Sequence, residues 1–463
     1  MTAESSPPGS ALADHTYAGR MPARVGDLAV ETHGIAPIPA GNRYGTARRL
    51  FTVWFAPQVN MTVVFTGTLA VVLGLGFWLG LLAMVIGTVI GSLAVGYLST
   101  WGPRTGTAQL PNARMAFGGT VAVVAVIQWL SSIAWDGLVG LFGGEALAEL
   151  LGLPFWLGVV IVLAAQGVIG VFGYEVIHRM QAVMTVVLVL TFAVFAWKLI
   201  AGRDVISLPT LSGADLAGAF VLEVTIALSL AISWASYASD YSRYLPVGTS
   251  RPAVFGYTVA GLASAYIAVQ AIGVAAAGTL TDQTTQGVRE IMGGGVLGAV
   301  ALAVIALGSV ASNAMNDYSG SLALQTVGVR VRRPVSAVVV VVIAFALIMW
   351  LHSGDLAARF QSVLLFVSYW IPAFVAIVAI DWRYRAAGRD VVNPAEETTD
   401  RTDGVVALVS FFVAFAAAVP FMHTNLIVGP VATALHGADL AYFVNFLVAA
   451  ALYGGYRLVR ARR

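Results

Sequence analysis

Runs of mostly apolar residues, each about the 20 positions that a helix needs to cross a bilayer, recur from Phe51 almost to the C-terminus. They predict twelve spans: Phe51–Leu73, Phe77–Thr100, Thr120–Phe142, Phe155–Tyr174, Gln181–Ile200, Ala217–Asp240, Ala253–Gly278, Val296–Tyr318, Val335–Leu351, Phe360–Ile380, Val405–Met422 and Ala441–Tyr456. The runs are continuous and do not alternate apolar with polar, which argues for helices and against a β-barrel. Two stretches break the pattern. Residues 1–48 carry Pro, Gly and charge, and read as a tail without fixed structure; with no apolar run before Phe51, no cleavable signal peptide is expected. Residues 383–403 form a polar linker ahead of the last two spans.

Composition changes the picture in one respect: it removes the soluble alternatives. Of 463 residues, 59% are hydrophobic and 10% charged, against a usual charged share of roughly 25%. The absence of cysteine excludes disulfide scaffolds, thiolate metal sites and cysteine nucleophiles. A net charge of +2 gives no basic surface for nucleic acid. Charge then orients the spans, because cytoplasmic loops collect Lys and Arg. With the N-terminus inside, all but four of the 25 Lys and Arg fall on inner segments, the exceptions being Lys198, Arg203, Arg289 and Arg359. The chain is therefore expected to be a multi-pass protein of the plasma membrane with both ends cytoplasmic, including the basic tail 457–463.

Polar residues at membrane depth are costly and mark pathways or binding sites, although small ones also join helices. Span 1 holds Pro57, Gln58, Asn60, Thr62, Thr66 and Thr68; span 3 holds Gln128, Ser131, Ser132, Trp135 and Asp136. Span 6 holds the stretch from Ser233 to Asp240, and span 8 holds Ser309, Ser312, Asn313, Asn316 and Asp317. Spans 1 and 6 each open a block of five, residues 49–200 and 201–382, and spans 3 and 8 are third in the same blocks. An inverted repeat of five plus five helices, followed by two extra helices at 404–456, would bring the four clusters together at the midplane, with the first helix of each block interrupted. The stretch from Pro57 to Gly67 suits such an interruption. Trp135 and Trp234 lie mid-span, away from the interface belts where tryptophan collects. Two indoles could sandwich a flat heteroaromatic ring, and the amide of Asn316 offers a donor and an acceptor in one plane, matching a nucleobase edge.

Local strings then become recognisable. Residues 233–246 read Ser-Trp-Ala-Ser-Tyr-Ala-Ser-Asp-Tyr-Ser-Arg-Tyr-Leu-Pro, which resembles the Trp-x-x-Tyr-Ala-x-Asp-Tyr signature of the purine–cytosine permeases in the nucleobase–cation symporter-1 family. Ser-Asn-Ala-Met-Asn-Asp-Tyr-Ser at 312–319 and Asn-Met-Thr at 60–62 before Phe-Thr-Gly-Thr-Leu at 65–69 are similar to further family strings. So are the loop Gly102–Gly118 and Phe-Gly-Tyr-Glu-Val-Ile-His at 172–178. The resemblance implies an all-α inverted-repeat fold with alternating access, taking up a nucleobase such as cytosine, adenine, guanine or hypoxanthine with a cation. It further implies stacking by Trp135 and Trp234, hydrogen bonding by Asn316, and a contact from span 1 at Thr66 or Asn60. Val139 and Met315 depart from residues common among relatives, which leaves allantoin, a hydantoin, uracil or a vitamin heterocycle open as cargo.

No cofactor is expected beyond the co-transported ion, H⁺ or Na⁺. Sodium-coupled relatives use hydroxyls of span 8 with carbonyls of span 1, but Val310 and Ala311 supply no side-chain oxygen, leaving Ser309 and Ser312. A proton carrier needs a membrane acid that can cycle between protonated and ionised forms. Asp136 beside Trp135 and Asp317 beside Asn316 fit that need; Glu223 lies in the outer half of span 6, and Asp240 near its inner end suits gating, with Arg243 close by. The six His are scattered and no Gly-x-Ser-x-Gly string occurs, so an enzyme is not expected. Nor does a repeated pore-lining motif point to a channel.

Overall fold

The computed structural model describes residues 34–170, 174–202, 204–280, 284–328, 333–386, 389, 392–394 and 399–462. Residues 1–33 of the expected tail, Phe172 and Gly173, Arg203, Arg330, Arg332, most of 387–398 and Arg463 lie outside the described residues. In chain order the helices are α1 (Arg48–Phe55), α2 (Met61–Val72), α3 (Gly76–Ser99), α4 (Gly102–Thr105), α5 (Gln109–Phe117), α6 (Val121–Leu151), α7 (Phe155–Gly170), α8 (Tyr174–Gly202), α9 (Gly213–Ile232) and α10 (Ala238–Ser242). They continue with α11 (Arg251–Leu280), α12 (Thr284–Ile291), α13 (Gly295–Val327), α14 (Arg333–His352), α15 (Leu356–Ser368), α16 (Ile371–Arg385), α17 (Arg401–Ala418), α18 (Pro430–Ala434) and α19 (Ala441–Ala461).

Among the described residues, nine helices are long and apolar enough to cross a membrane, and α1 with α2 forms a tenth, bent by 65°. α7 and the later part of α14 are apolar but shorter. Ten of the twelve expected spans fall on the nine long helices and the bent pair; the fourth and ninth fall on the shorter α7 and α14, so twelve full-length spans are not seen among the described residues. α6 runs to Leu151, past the expected end at Phe142, because its polar extension finds partners in α12: Glu145 accepts from the Thr285 hydroxyl at 2.9 Å and Glu149 pairs with Arg289 at 2.8 Å.

Packing shows the internal symmetry that the residues themselves conceal. α3 lies along α9, and α11 lies along α1 and α2; α6 packs on α13, α7 on α13 and α14 on α6. Exchanging the first five-span block for the second maps these contacts onto one another. The close crossings rest on missing side chains. A Cβ on Gly67 or Gly273 would strike the backbone of the opposite helix at Gln270 or Val64, and one on Gly87 would strike the Val224 carbonyl of α9.

α17 and α19 pack on each other and on α16. Where these three end, Arg385 bonds Asp381 at 2.9 Å and Asp403 at 3.2 Å, and Tyr453 donates to Asp381 at 2.8 Å. Residues 34–47, expected as part of a loose tail, are packed instead on this same face. Ile38 is 1% exposed, and its N–H donates to the Gly106 carbonyl at 2.9 Å. Arg43 bonds the Pro103 carbonyl at 2.7 Å, and Arg243 bonds the Gly34 carbonyl at 2.7 Å. The linker also does more than connect: Val392 N–H donates to the Arg104 carbonyl, and Thr399 to the Met115 carbonyl. The first described residues, 34–47, and the end of α19 thus lie on one face, called the tail face below; the other is the far face.

Candidate functional site

The first span breaks where its backbone loses continuity. Pro57 has no N–H to donate, a single 3₁₀ turn follows α1, and Asn60 starts α2 as its N-cap. The Asn60 side chain accepts from Val63 N–H at 3.1 Å and donates to the Pro57 carbonyl at 2.6 Å, satisfying groups that the break exposes. Ser312 of α13 donates to the same carbonyl at 3.1 Å. The matching span in the second block is interrupted more gently, by the 3₁₀ stretch Ser233–Tyr237 between α9 and α10.

A small cavity lies between the two interruptions. Trp135 and Val139 wall it from α6, Trp234 and Leu230 from the second broken span, and Ser312 and Asn316 from α13. Gln58, Asn60, Thr62 and Val63 come from the first span and Tyr266 from α11. Trp234 is held on several sides. Its indole N–H donates to the Tyr266 hydroxyl at 2.7 Å, which donates in turn to the Leu230 carbonyl at 3.1 Å. Trp54 meets it edge-on at 5.7 Å between ring centroids, and Tyr237 at 5.6 Å.

Closed packing lies on either side of the cavity. Towards the far face, Phe65 of α2, Phe142 of α6 and Phe360 of α15 pack together, with centroids 5.0 to 5.9 Å apart. Towards the tail face, Trp54 meets Tyr241 at 5.4 Å, and Tyr241 shares a hydrogen bond with Ser319 at 3.1 Å. Asp240 helps to lock this side by accepting from the Gln109 N–H at 2.8 Å and the Ser319 hydroxyl at 2.7 Å. Arg243 donates to the Tyr318 hydroxyl at 2.8 Å.

Behind Trp135 and Asn316 sits a buried polar group of side chains joining α6, α7 and α13. Asp136 is fully buried and neither carboxyl oxygen has a hydrogen-bond partner; Asp317 is the acid acting on it, and one Asp317 oxygen is likewise unpartnered. Asn313 donates to the Asp136 carbonyl at 3.1 Å and to Gln166 Oε1 at 2.7 Å, and Asn316 donates to Asn313 Oδ1 at 3.2 Å.

The family described as permeases for cytosine/purines, uracil, thiamine and allantoin matches residues 37–445. The chain belongs to this permease family. YxlA of Bacillus subtilis is 26% identical to the permease over 452 residues, covering 94% of this chain and 97% of YxlA. The purine-cytosine permease fcyB of Emericella nidulans is 25% identical over 467 residues, covering 95% and 90%. In fold the permease matches inward-facing Mhp1 at a TM-score of 0.74 and 18% identity, over 94% of this chain and 95% of Mhp1. Mhp1 is a nucleobase-cation-symport-1 family transporter, and its closed form with bromovinylhydantoin bound matches at 0.71. The permease is a transporter and not an enzyme.

The residues singled out in the permease's sequence separate into three groups. Trp135, Trp234, Asn316, Asn60 and Ser312 share the cavity wall. Asp136 and Asp317 stand one layer behind it. Thr66, Asp240 and Glu223 do not reach it. Of the two candidates on span 1, Asn60 is in the wall of this cavity and Thr66 is not; the Thr66 hydroxyl donates to the Thr62 carbonyl at 2.9 Å, one turn back on α2. Glu223 sits seven residues before Leu230 and eleven before Trp234, on the same helix face and about 16 Å towards the far face. It is fully buried, and both its oxygens are unpartnered. Its helix neighbours Ala219 and Ala227 belong to a small apolar cluster with Ala70, Leu75, Met84 and Val274. Ser309 packs against Gly143 of α6 and not against the break in span 1.

Proposed function

We propose that the permease imports a nucleobase, cytosine or a purine such as adenine, guanine or hypoxanthine, across the plasma membrane by proton symport and alternating access, with both chain ends in the cytoplasm. The observation that carries the cargo assignment is the cavity wall itself. It combines two indoles, Trp135 and Trp234, with the amide of Asn316 and the Gln58 amide, whose Nε2 is buried and unpartnered. Aromatic faces favour any flat ring; the amides restrict the choice to a ring whose edge carries both donors and acceptors.

Two features favour the proton over sodium. A hard cation is held by several oxygen ligands. At the seam between the first span and α13, Ser312 is the hydroxyl that reaches the broken backbone, and it is already bonded to Pro57. Asp136 is buried and Asp317 half-buried with one oxygen enclosed; the two acids act on each other, and two neighbouring carboxyls resist ionising together, so one proton between them is the natural load.

The test is uptake of labelled cytosine and hypoxanthine by cells that lack their own base permeases. Saturable uptake that survives replacement of sodium by choline and collapses with a protonophore is expected. Uptake that requires sodium would overturn the choice of ion. Failure of both bases to enter, with strong binding of allantoin, uracil or a vitamin heterocycle, would overturn the cargo.

A further inference from the structure

The cavity wall is not polar all round. Three of its side chains are aliphatic and come from three helices: Val63 of α2, Val139 of α6 and Leu230 of α9. Their places along those helices put them on one side. Val63 lies between Asn60 and Phe65, Val139 between Trp135 and Phe142, and Leu230 between Trp234 and Glu223. In each pair the second residue is the one nearer the far face. The three therefore roof the cavity on that side, with Val139 and Leu230 each about one helical turn beyond an indole.

The amides of the wall lie on the opposite side. Gln58 precedes Val63 across the break in the first span, and its Nε2 is buried and unpartnered. Asn316 is three residues before Ser319, which belongs to the closed packing towards the tail face. Asn60 is turned to the broken backbone by both ends of its amide. The hydroxyls of the wall add no donor. Thr62 gives its hydrogen to the Leu138 carbonyl at 3.2 Å, Ser312 to the Pro57 carbonyl at 3.1 Å and Tyr266 to the Leu230 carbonyl at 3.1 Å. A hydroxyl has one hydrogen, so these three can accept from a cargo but have none left to donate.

Bases differ in how their polar atoms are spread. Cytosine carries N1, O2, N3 and N4 on one continuous side, with C5–H and C6–H opposite. A purine carries a further acceptor, N7, on its five-membered ring. With its polar side on the amides, cytosine lays C5 and C6 against the aliphatic roof. A purine seated in the same way turns N7 to side chains that have no donor to offer, and loses the hydrogen bond it made to water.

We propose that Val63, Val139 and Leu230 make the cavity selective for a ring with one polar and one apolar edge, a pyrimidine such as cytosine in preference to a purine. Val139 is the specificity-determining residue on α6. This deepens the reading that the cargo is a nucleobase between Trp135 and Trp234, and rests on it.

The test measures how unlabelled bases inhibit uptake of labelled cytosine by the full-length protein in liposomes. 7-Deazahypoxanthine, in which C–H replaces N7 and the rest of the ring system is kept, should compete more tightly than hypoxanthine by roughly 5- to 150-fold. Val139→Asn, which places a donor in the roof, should remove most of that difference. Leu230→Asn places the donor on the facing helix and serves if the first variant does not fold. Hypoxanthine that competes with the wild type as tightly as its 7-deaza analogue would overturn the proposal, as would a difference left intact in both variants. Failure of every base, cytosine included, to enter or compete would instead overturn the base-import reading on which it stands.

Discussion

Asp136→Asn and Asp317→Asn should each abolish accumulation of cargo above its outside concentration, while exchange of labelled for unlabelled cargo continues. Asparagine keeps the shape of aspartate and cannot take up or release a proton. Each substitution therefore leaves the cavity wall of Trp135, Trp234 and Asn316 in place and removes one half of the acid pair behind it. The expected size follows from the energy available. One charge moving down 100 mV releases about 2.3 kcal/mol, and each 1.4 kcal/mol is a factor of ten, so a coupled carrier sustains roughly a 40-fold gradient. Both variants should fall to none. The comparison is uptake driven by an imposed proton gradient in liposomes against counterflow in the same preparation. Normal accumulation in both variants would remove the pair as the proton carrier.

The second large effect belongs to the indole of the second broken span. Its N–H is engaged by Tyr266, and Trp54 and Tyr237 meet it at steep interplanar angles of 81° and 62°. It also borders the cavity, so it serves as a fixed platform and not as a mobile flap. Stacking of a base on an aromatic ring is worth roughly 1–3 kcal/mol. Trp234→Ala should therefore raise the KM by about 5- to 150-fold, and Trp234→Phe, which keeps a ring but no N–H for Tyr266, should fall between. A wild-type KM in both variants would show that the cargo does not touch this residue.

Much of this arrangement was legible in the residues. Unbroken apolar runs locate the spans because lipid offers the backbone no alternative partner. The break in the first span is announced by Pro57, which cannot donate, and by Asn60, which caps the next helix. The repeat logic brings Trp135, Trp234 and Asn316 together: the first and last lie on the third helix of each block, and Trp234 on the interrupted helix that opens the second. What stayed hidden depends on partners far away in the chain. Tyr266 is a mid-helix tyrosine with nothing beside it in sequence to mark it, and it joins the cavity wall, bonded to Trp234 and Leu230, only when α11 packs there. Gln166 and Asn313 become a unit only when α7 and α13 meet. Thr66 looked equivalent to Asn60 because the sequence does not say how far along α2 the cavity extends; its wall there stops at Thr62 and Val63. The segment 34–47 has the composition of a loose tail, yet backbone carbonyls at Pro103 and Gly34 hold it through Arg43 and Arg243.

The central claim, that a flat base lies between Trp135 and Trp234 beside Asn316, is tested most directly by the position of a heavy atom on the cargo. Crystals of the permease grown with 5-bromocytosine, measured at the bromine absorption edge, should show one strong anomalous peak inside the cavity bounded by these three side chains and Gln58. A peak elsewhere in the molecule, or an empty cavity with the base bound under the same conditions in solution, would contradict it.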